Sequence, residues 1–208
     1  MTSIASVTLE VADLAAADRF YSTAFGLDDR LRLRASEAPT SGFRGFTLSL
    51  VVSQPADVDA LVDAAVQAGA TTLKPAAKSL WGYGGVVQAP DGTIWQIASS
   101  SKKNTGPATR QVDEFVLLLG VEDVKAGKQF YVDHGLAVGK SFGSKYVEFA
   151  TGPGPVKLAL YKRRGLAKVA GVSPEGTGSH RLTITSDAGP FTDPDGFAWT
   201  TVSEDASL

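Results

Sequence analysis

This 208-residue chain has 22 carboxylate side chains but few of the softer groups that acid–base and metal sites use. Cysteine is absent, which removes disulfides, thiolate metal sites and a Cys nucleophile together. The two histidines are His134 and His180, so one chain cannot build a three-histidine metal site. His180 follows Gly178-Ser179 at the start of a strand pattern. Imidazole is the only side chain whose ordinary pKa, about 6.5, lies near neutrality. His134 ends a helix pattern before Gly135, where a cation suits the macrodipole, and reads as a cap. Glu114 opens the apolar run Phe115 to Leu119. There a carboxylate either ends the strand in water or faces a cleft, where desolvation raises its pKa and suits it to general-base work. Leu80-Trp81-Gly82-Tyr83-Gly84-Gly85 sets two aromatics among glycines. It reads as a loop that lets backbone approach a ligand or another chain, or as a hairpin whose aromatics cover the core. There is no Gly-rich phosphate loop and no Gly-x-Ser-x-Gly nucleophile elbow. Lys162-Arg163-Arg164 reads as a solvated helix start.

The elements that position these residues repeat. Val7 to Val11 leads into Asp13, Phe20, Tyr21 and Gly26; Phe115 to Leu119 leads into Asp123, Phe130, Tyr131 and Gly135. Each copy predicts a buried strand, an acidic N-cap, a helix and a Gly stop. Ala89-Pro90-Asp91-Gly92 with Trp95 matches Asp193-Pro194-Asp195-Gly196 with Trp199, predicting a turn and a strand. Two halves follow, residues 1–100 and 110–208, joined by a polar linker at 101–109. Phe46 to Val51 matches His180 to Thr185. The second half has extra strand-like segments at Lys145 to Ala150 and Val156 to Tyr161, and lacks a counterpart of the helix pattern at Asp57 to Ala68. The halves are trimmed in complementary places, and the incomplete portions are expected to complete each other.

Composition bounds the function. Twenty basic and 22 acidic residues give a net charge of −2, which argues against a nucleic-acid partner. No apolar run reaches the roughly 18 residues of a membrane span, and residues 1–5 carry no signal-peptide pattern, so a cytoplasmic location is expected.

The strand–helix blocks with "FYSTAFGL" and "FYVDHGL", the helix "DVDALVDAAVQAGA" and the closing "PDGTIWQI" together resemble the vicinal oxygen chelate superfamily. Glyoxalase I, bleomycin-resistance proteins and extradiol dioxygenases belong to it. The resemblance implies an α+β fold of tandem βαβββ-type modules forming two glyoxalase/bleomycin-resistance-like lobes, here each partly trimmed. It implies curved sheets around a cleft that, in catalytic members, holds a divalent metal. At the positions it assigns to ligands, the first half offers Ser6, Phe46 and Gln96. The second offers Glu114, His180 and Thr200, with Leu158-Ala159-Leu160 at the remaining position. That set falls short of a catalytic site, so no metal or other cofactor is expected; Glu114 and His180 are the only candidate ligands. The expected function is binding of a small apolar or aromatic molecule, lined by Phe46, Trp81, Tyr83, Gln96, Leu158 and Thr200. Two alternatives stand. One is a glyoxalase-like lyase or isomerase, or a dioxygenase, using Glu114 and His180 as an acid/base pair or with atypical nickel, manganese, iron or zinc. The other is a protein-interaction module anchored by Trp81 and Tyr83, with a homodimer among its forms.

Overall fold

A computed structural model describes residues 2–26, 28–150, 152 and 154–202. Four modules follow one another. The first is β1 (Ile4–Val11), α1 (Leu14–Ala24) and β2 (Leu31–Ala35). After a short β3 (Thr40–Gly42), the second runs β4 (Phe46–Val51), α2 (Pro55–Gln67), β5 (Thr71–Ser79), β6 (Gly82–Gln88) and β7 (Ile94–Ser99). The third is β8 (Glu114–Val121), α3 (Val124–Asp133), β9 (Ala137–Phe142), β10 (Tyr146–Ala150) and β11 (Val156–Lys162). A helix, α4 (Arg163–Ala170), and β12 (Gly176–Gly178) lead to a fourth module of β13 (Leu182–Ser186), β14 (Phe191–Thr192) and β15 (Ala198–Thr201). Among the described residues the fourth has no helix of its own.

Each sheet arc mixes the two halves of the sequence. The two complete modules share a larger arc, ordered β5-β6-β7-β4-β8-β11-β10-β9, through antiparallel β4 and β8. The two incomplete modules share a smaller arc, β2-β1-β13-β15-β14, through antiparallel β1 and β13. The arcs touch where Ile4 pairs with Val156. The helix-facing residues of both arcs merge with α1, α2 and α3 into one core.

The repeated motifs explain how each half holds together. Asp13 accepts from the Ala16 amide and Asp123 from the Lys125 and Ala126 amides, fixing the starts of α1 and α3. His134 is the C-cap of α3. The Tyr21 hydroxyl donates to Asp91 at 2.8 Å, and that of Tyr131 to Asp193 at 2.6 Å. Trp95 lies 5.5 Å from the Tyr21 ring and Trp199 5.3 Å from Tyr131. A helix in one module is thereby tied to the Pro-Asp-Gly turn of the next.

The segment between the halves is docked along the start of α2. Gln54 accepts from the Thr105 and Gly106 amides, while Asp57 accepts from those of Thr109 (2.6 Å) and Arg110 (3.2 Å). Burial pushes the Asp57 carboxyl up, but these amides outweigh it and hold the pKa below the ordinary carboxylate value. A lowered folded-state pKa gives stability that is present above the unfolded value and lost as pH falls through the folded one. Asp57→Asn is therefore expected to lose about 1–3 kcal/mol at pH 7 and to flatten the acid limb of the stability curve. Urea midpoints at pH 7 and pH 3 check this; equal losses at both would refute it. No helix among the described residues is long and apolar enough to cross a membrane.

Candidate functional site

Strand side chains alternate between faces, so each arc has one face in the shared core and an opposite, inward face, the cup face. The two cups differ in chemistry. In the larger arc the inward residues include Thr47 and Ser49 on β4, Gln96 on β7, Val116, Leu118 and Gly120 on β8, and Ala159 on β11. This cup is filled from within by α4. Leu166, Ala167 and Ala170 are fully buried there with Leu118, Ala159, Val86 and Ile94. Gly120 is a position where a side chain has no room: an added Cβ would stand 3.1 Å from the Arg163 Cα and 3.0 Å from the Gly45 carbonyl. The Lys74 ammonium closes the far end of α4, donating to the carbonyls of Lys168 (2.7 Å) and Val169 (2.6 Å). Arg163 closes the near end on the Phe43 and Pro174 carbonyls.

The smaller arc carries a polar cup. Ser6, Thr8 and Glu10 alternate along β1 with the core residues Val7, Leu9 and Val11. Ser6 faces Thr185 and Thr8 faces Thr183 across β13; Thr8 faces Arg32 and Glu10 faces Arg34 across β2. Thr185 pairs with Thr200 on β15. The Arg34 guanidinium bridges Glu10 and the Thr183 hydroxyl. The Ser6 hydroxyl is buried and lacks a hydrogen-bond partner.

The structure does not bring Glu114 and His180 together. Glu114 stands at the start of β8, paired with Lys157 at 2.5 Å. His180 sits beside the other end, in a 370 Å³ pocket that Gly120, Glu122 and Asp195 also line. Six residues of strand separate Glu114 from Gly120, about 20 Å. His180 Nδ1 lies 2.6 Å from the Arg44 carbonyl and Nε2 3.0 Å from that of Asp195, with the ring stacked on Phe197. Neither nitrogen is open to a substrate or a metal. The expected acid/base pair is thus corrected: one member is an ion-paired strand end, the other a clasp between two loops.

The expected ligand-lining residues scatter. Phe46 and Leu158 point into the shared core and are buried there, so neither lines a cup. Gln96 does line the larger cup, donating to the Thr47 hydroxyl at 2.9 Å. Thr200 belongs to the smaller one. Trp81 lies at the tip of the β5–β6 hairpin, 85% exposed. Tyr83 donates to Asp59 on α2. Sequence reasoning overlooked Thr8, Glu10, Arg34 and Thr183. Their signal was present as period-two alternation in "SVTLEV", "LRLRA" and "RLTIT".

The resemblance of the sequence implies a divalent metal in catalytic members, and the donor set tests that. Among the described residues no group of three or more His, Asp or Glu side chains converges. On the larger arc the inward polar positions include Thr47, Ser49, Gln96, Glu114 and Glu148, with Glu114 paired with Lys157 and Glu148 accepting from the Tyr146 hydroxyl. In the smaller one Glu10 is the carboxylate, and it is held by Arg34. These residues do not fit a catalytic metal centre.

No protein-family model matches the sequence, and no curated protein matches it significantly. Solved structures do. Glyoxalase I from Zea mays superposes with a TM-score of 0.60 at 14% identity, covering 97% of this chain and 92% of its own. A proposed dioxygenase of Bacillus subtilis gives 0.60 at 14% identity, covering 93% of this chain and 71% of its own. At such identities the likeness shows the fold alone: four modules arranged as in glyoxalase I, two of them trimmed.

Proposed function

We propose that the chain binds a small organic molecule in the cup of the smaller arc, without a catalytic metal. The observation that carries this is the Ser6 hydroxyl, buried without a partner on a face whose other polar groups are hydroxyls, guanidiniums and the Arg34-paired Glu10. Leaving a buried hydroxyl unpaired costs about 1–3 kcal/mol, which a polar ligand atom offsets. The larger, more apolar cup is taken by α4, so the reading moves from a wholly apolar ligand to one with a carboxylate or hydroxyl end. Arg34 offers donors to such a group, and Thr8 and Thr183 offer hydroxyls.

The test is a thermal-shift screen of small carboxylates and polyols, followed by calorimetry on any compound that raises the melting temperature. Ser6→Ala is expected to leave the unliganded protein as stable or slightly more so, while weakening the compound about tenfold, the worth of one hydrogen bond. Unchanged affinity in Ser6→Ala would move the site elsewhere. Elemental mass spectrometry after equilibration with nickel, manganese, iron(II) and zinc tests the other half. One retained ion per chain would overturn the metal-free reading.

A further inference from the structure

We propose that the outer edge of β2 takes up an extended, acidic segment of a partner protein as an added strand. Among the described residues β2 pairs with β1 alone. The Val7 amide donates to the Arg30 carbonyl and the Ser36 amide to the Val11 carbonyl, so the even-numbered residues turn their backbone groups inward. Leu33 and Ala35 turn their amides, and Leu31 and Leu33 their carbonyls, to the open side. This is a row of donors and acceptors ready for another strand.

The other modules show that the space is strand-sized. In the second module β6 and β5 lie beyond β7, and α2 packs across them. In the first module those two places are vacant. Leu14, Ala15 and Asp18 of α1 and Leu31 and Leu33 of β2 face a groove of about 580 Å³ there, with Leu14 44% exposed. A strand added to β2 would set alternate side chains over this groove and the others beside Arg32 and Arg34. The pattern that fits is apolar residues alternating with carboxylates. Arg32 and Arg34 both already have partners, Arg34 holding Glu10, but a guanidinium has five donors and serves a second carboxylate. A second copy of this chain fits poorly. Antiparallel β2–β2 pairing about Leu33 would set Arg32 against Arg34 of the other copy, and like charges directly opposite repel.

The probe is a fluorescein-labelled peptide alternating valine and glutamate, titrated by anisotropy against the intact protein. Three comparisons decide. A valine–lysine peptide is expected to bind at least about tenfold more weakly, because two cross-strand pairs change from attraction to repulsion. A valine–glutamate peptide N-methylated on the bonds facing β2 is expected to weaken by a similar factor. Hydrogen exchange of the Leu33 and Ala35 amides is expected to slow on binding. Arg32→Glu with Arg34→Glu should reverse the charge preference; if that variant does not fold, the peptide series on the natural protein decides alone. The proposal is overturned by no saturable binding at millimolar peptide, by equal binding of the two charge forms, or by an indifferent N-methylated peptide. It is also overturned if light scattering shows a dimer that protects the β2 amides.

Discussion

Leu166→Ala is expected to cost about 2–5 kcal/mol, a large part of the 5–15 kcal/mol that holds most domains folded. Leu166 is fully buried against the inward face of the larger arc, which α4 covers. Removing its isopropyl end leaves a void that eight residues of helix, pinned at both ends, have little freedom to close. Gly120→Val should be as damaging for the opposite reason. Its added carbon would press on the Arg163 backbone and lift the helix. Leu80→Ala, at an exposed hairpin tip, should change stability by less than about 0.5 kcal/mol and serves as the control. Urea denaturation measures all three. A loss below about 1 kcal/mol for Leu166→Ala, with fast exchange of the α4 amides, would mean that the helix is a loosely seated lid and that the larger cup opens.

That helix marks a limit of what the sequence reveals. Lys162-Arg163-Arg164 reads as a solvated helix start, yet Leu166, Ala167 and Ala170 form one apolar face just beyond it. The repeat was legible because its parts are local: an N-cap, an aromatic pair, a Gly stop and a Pro-Asp-Gly turn. The pairing of modules was not, because β1 meets β13 and β4 meets β8 across long stretches of chain. Grouping candidates by half therefore set Ser6 with Gln96. The structure sets Ser6 with Thr185 and Thr200 in one cup and Gln96 with Thr47 in the other. Phe46 and Leu158 fail by one residue. Their neighbours Thr47 and Ala159 face inward, and a period-two pattern misplaced by one position exchanges the faces.

Asp193→Ala is the second large loss to expect, about 3 kcal/mol or more. This carboxylate is buried and accepts from the Tyr131 hydroxyl and from the amides of Asp195 (3.0 Å) and Phe197 (2.7 Å). Its removal orphans all three donors at the joint between α3 and the last turn. Tyr131→Phe removes one bond and should cost about 1–2 kcal/mol. Because the partners touch, the double variant should cost less than the sum of the singles. The pH signature has the opposite sign to that of Asp57. Burial raises the Asp193 pKa above the ordinary carboxylate value, so the folded protein holds this proton more tightly than the unfolded chain. Its contribution is complete below the unfolded pKa and declines as pH rises through the folded one. Asp193→Asn removes that decline, so the difference in stability between natural protein and variant should narrow toward higher pH if the amide keeps the donors paired. A difference independent of pH would show that Asp193 is ionised alike in both states. The joint would then rest on hydrogen-bond geometry alone.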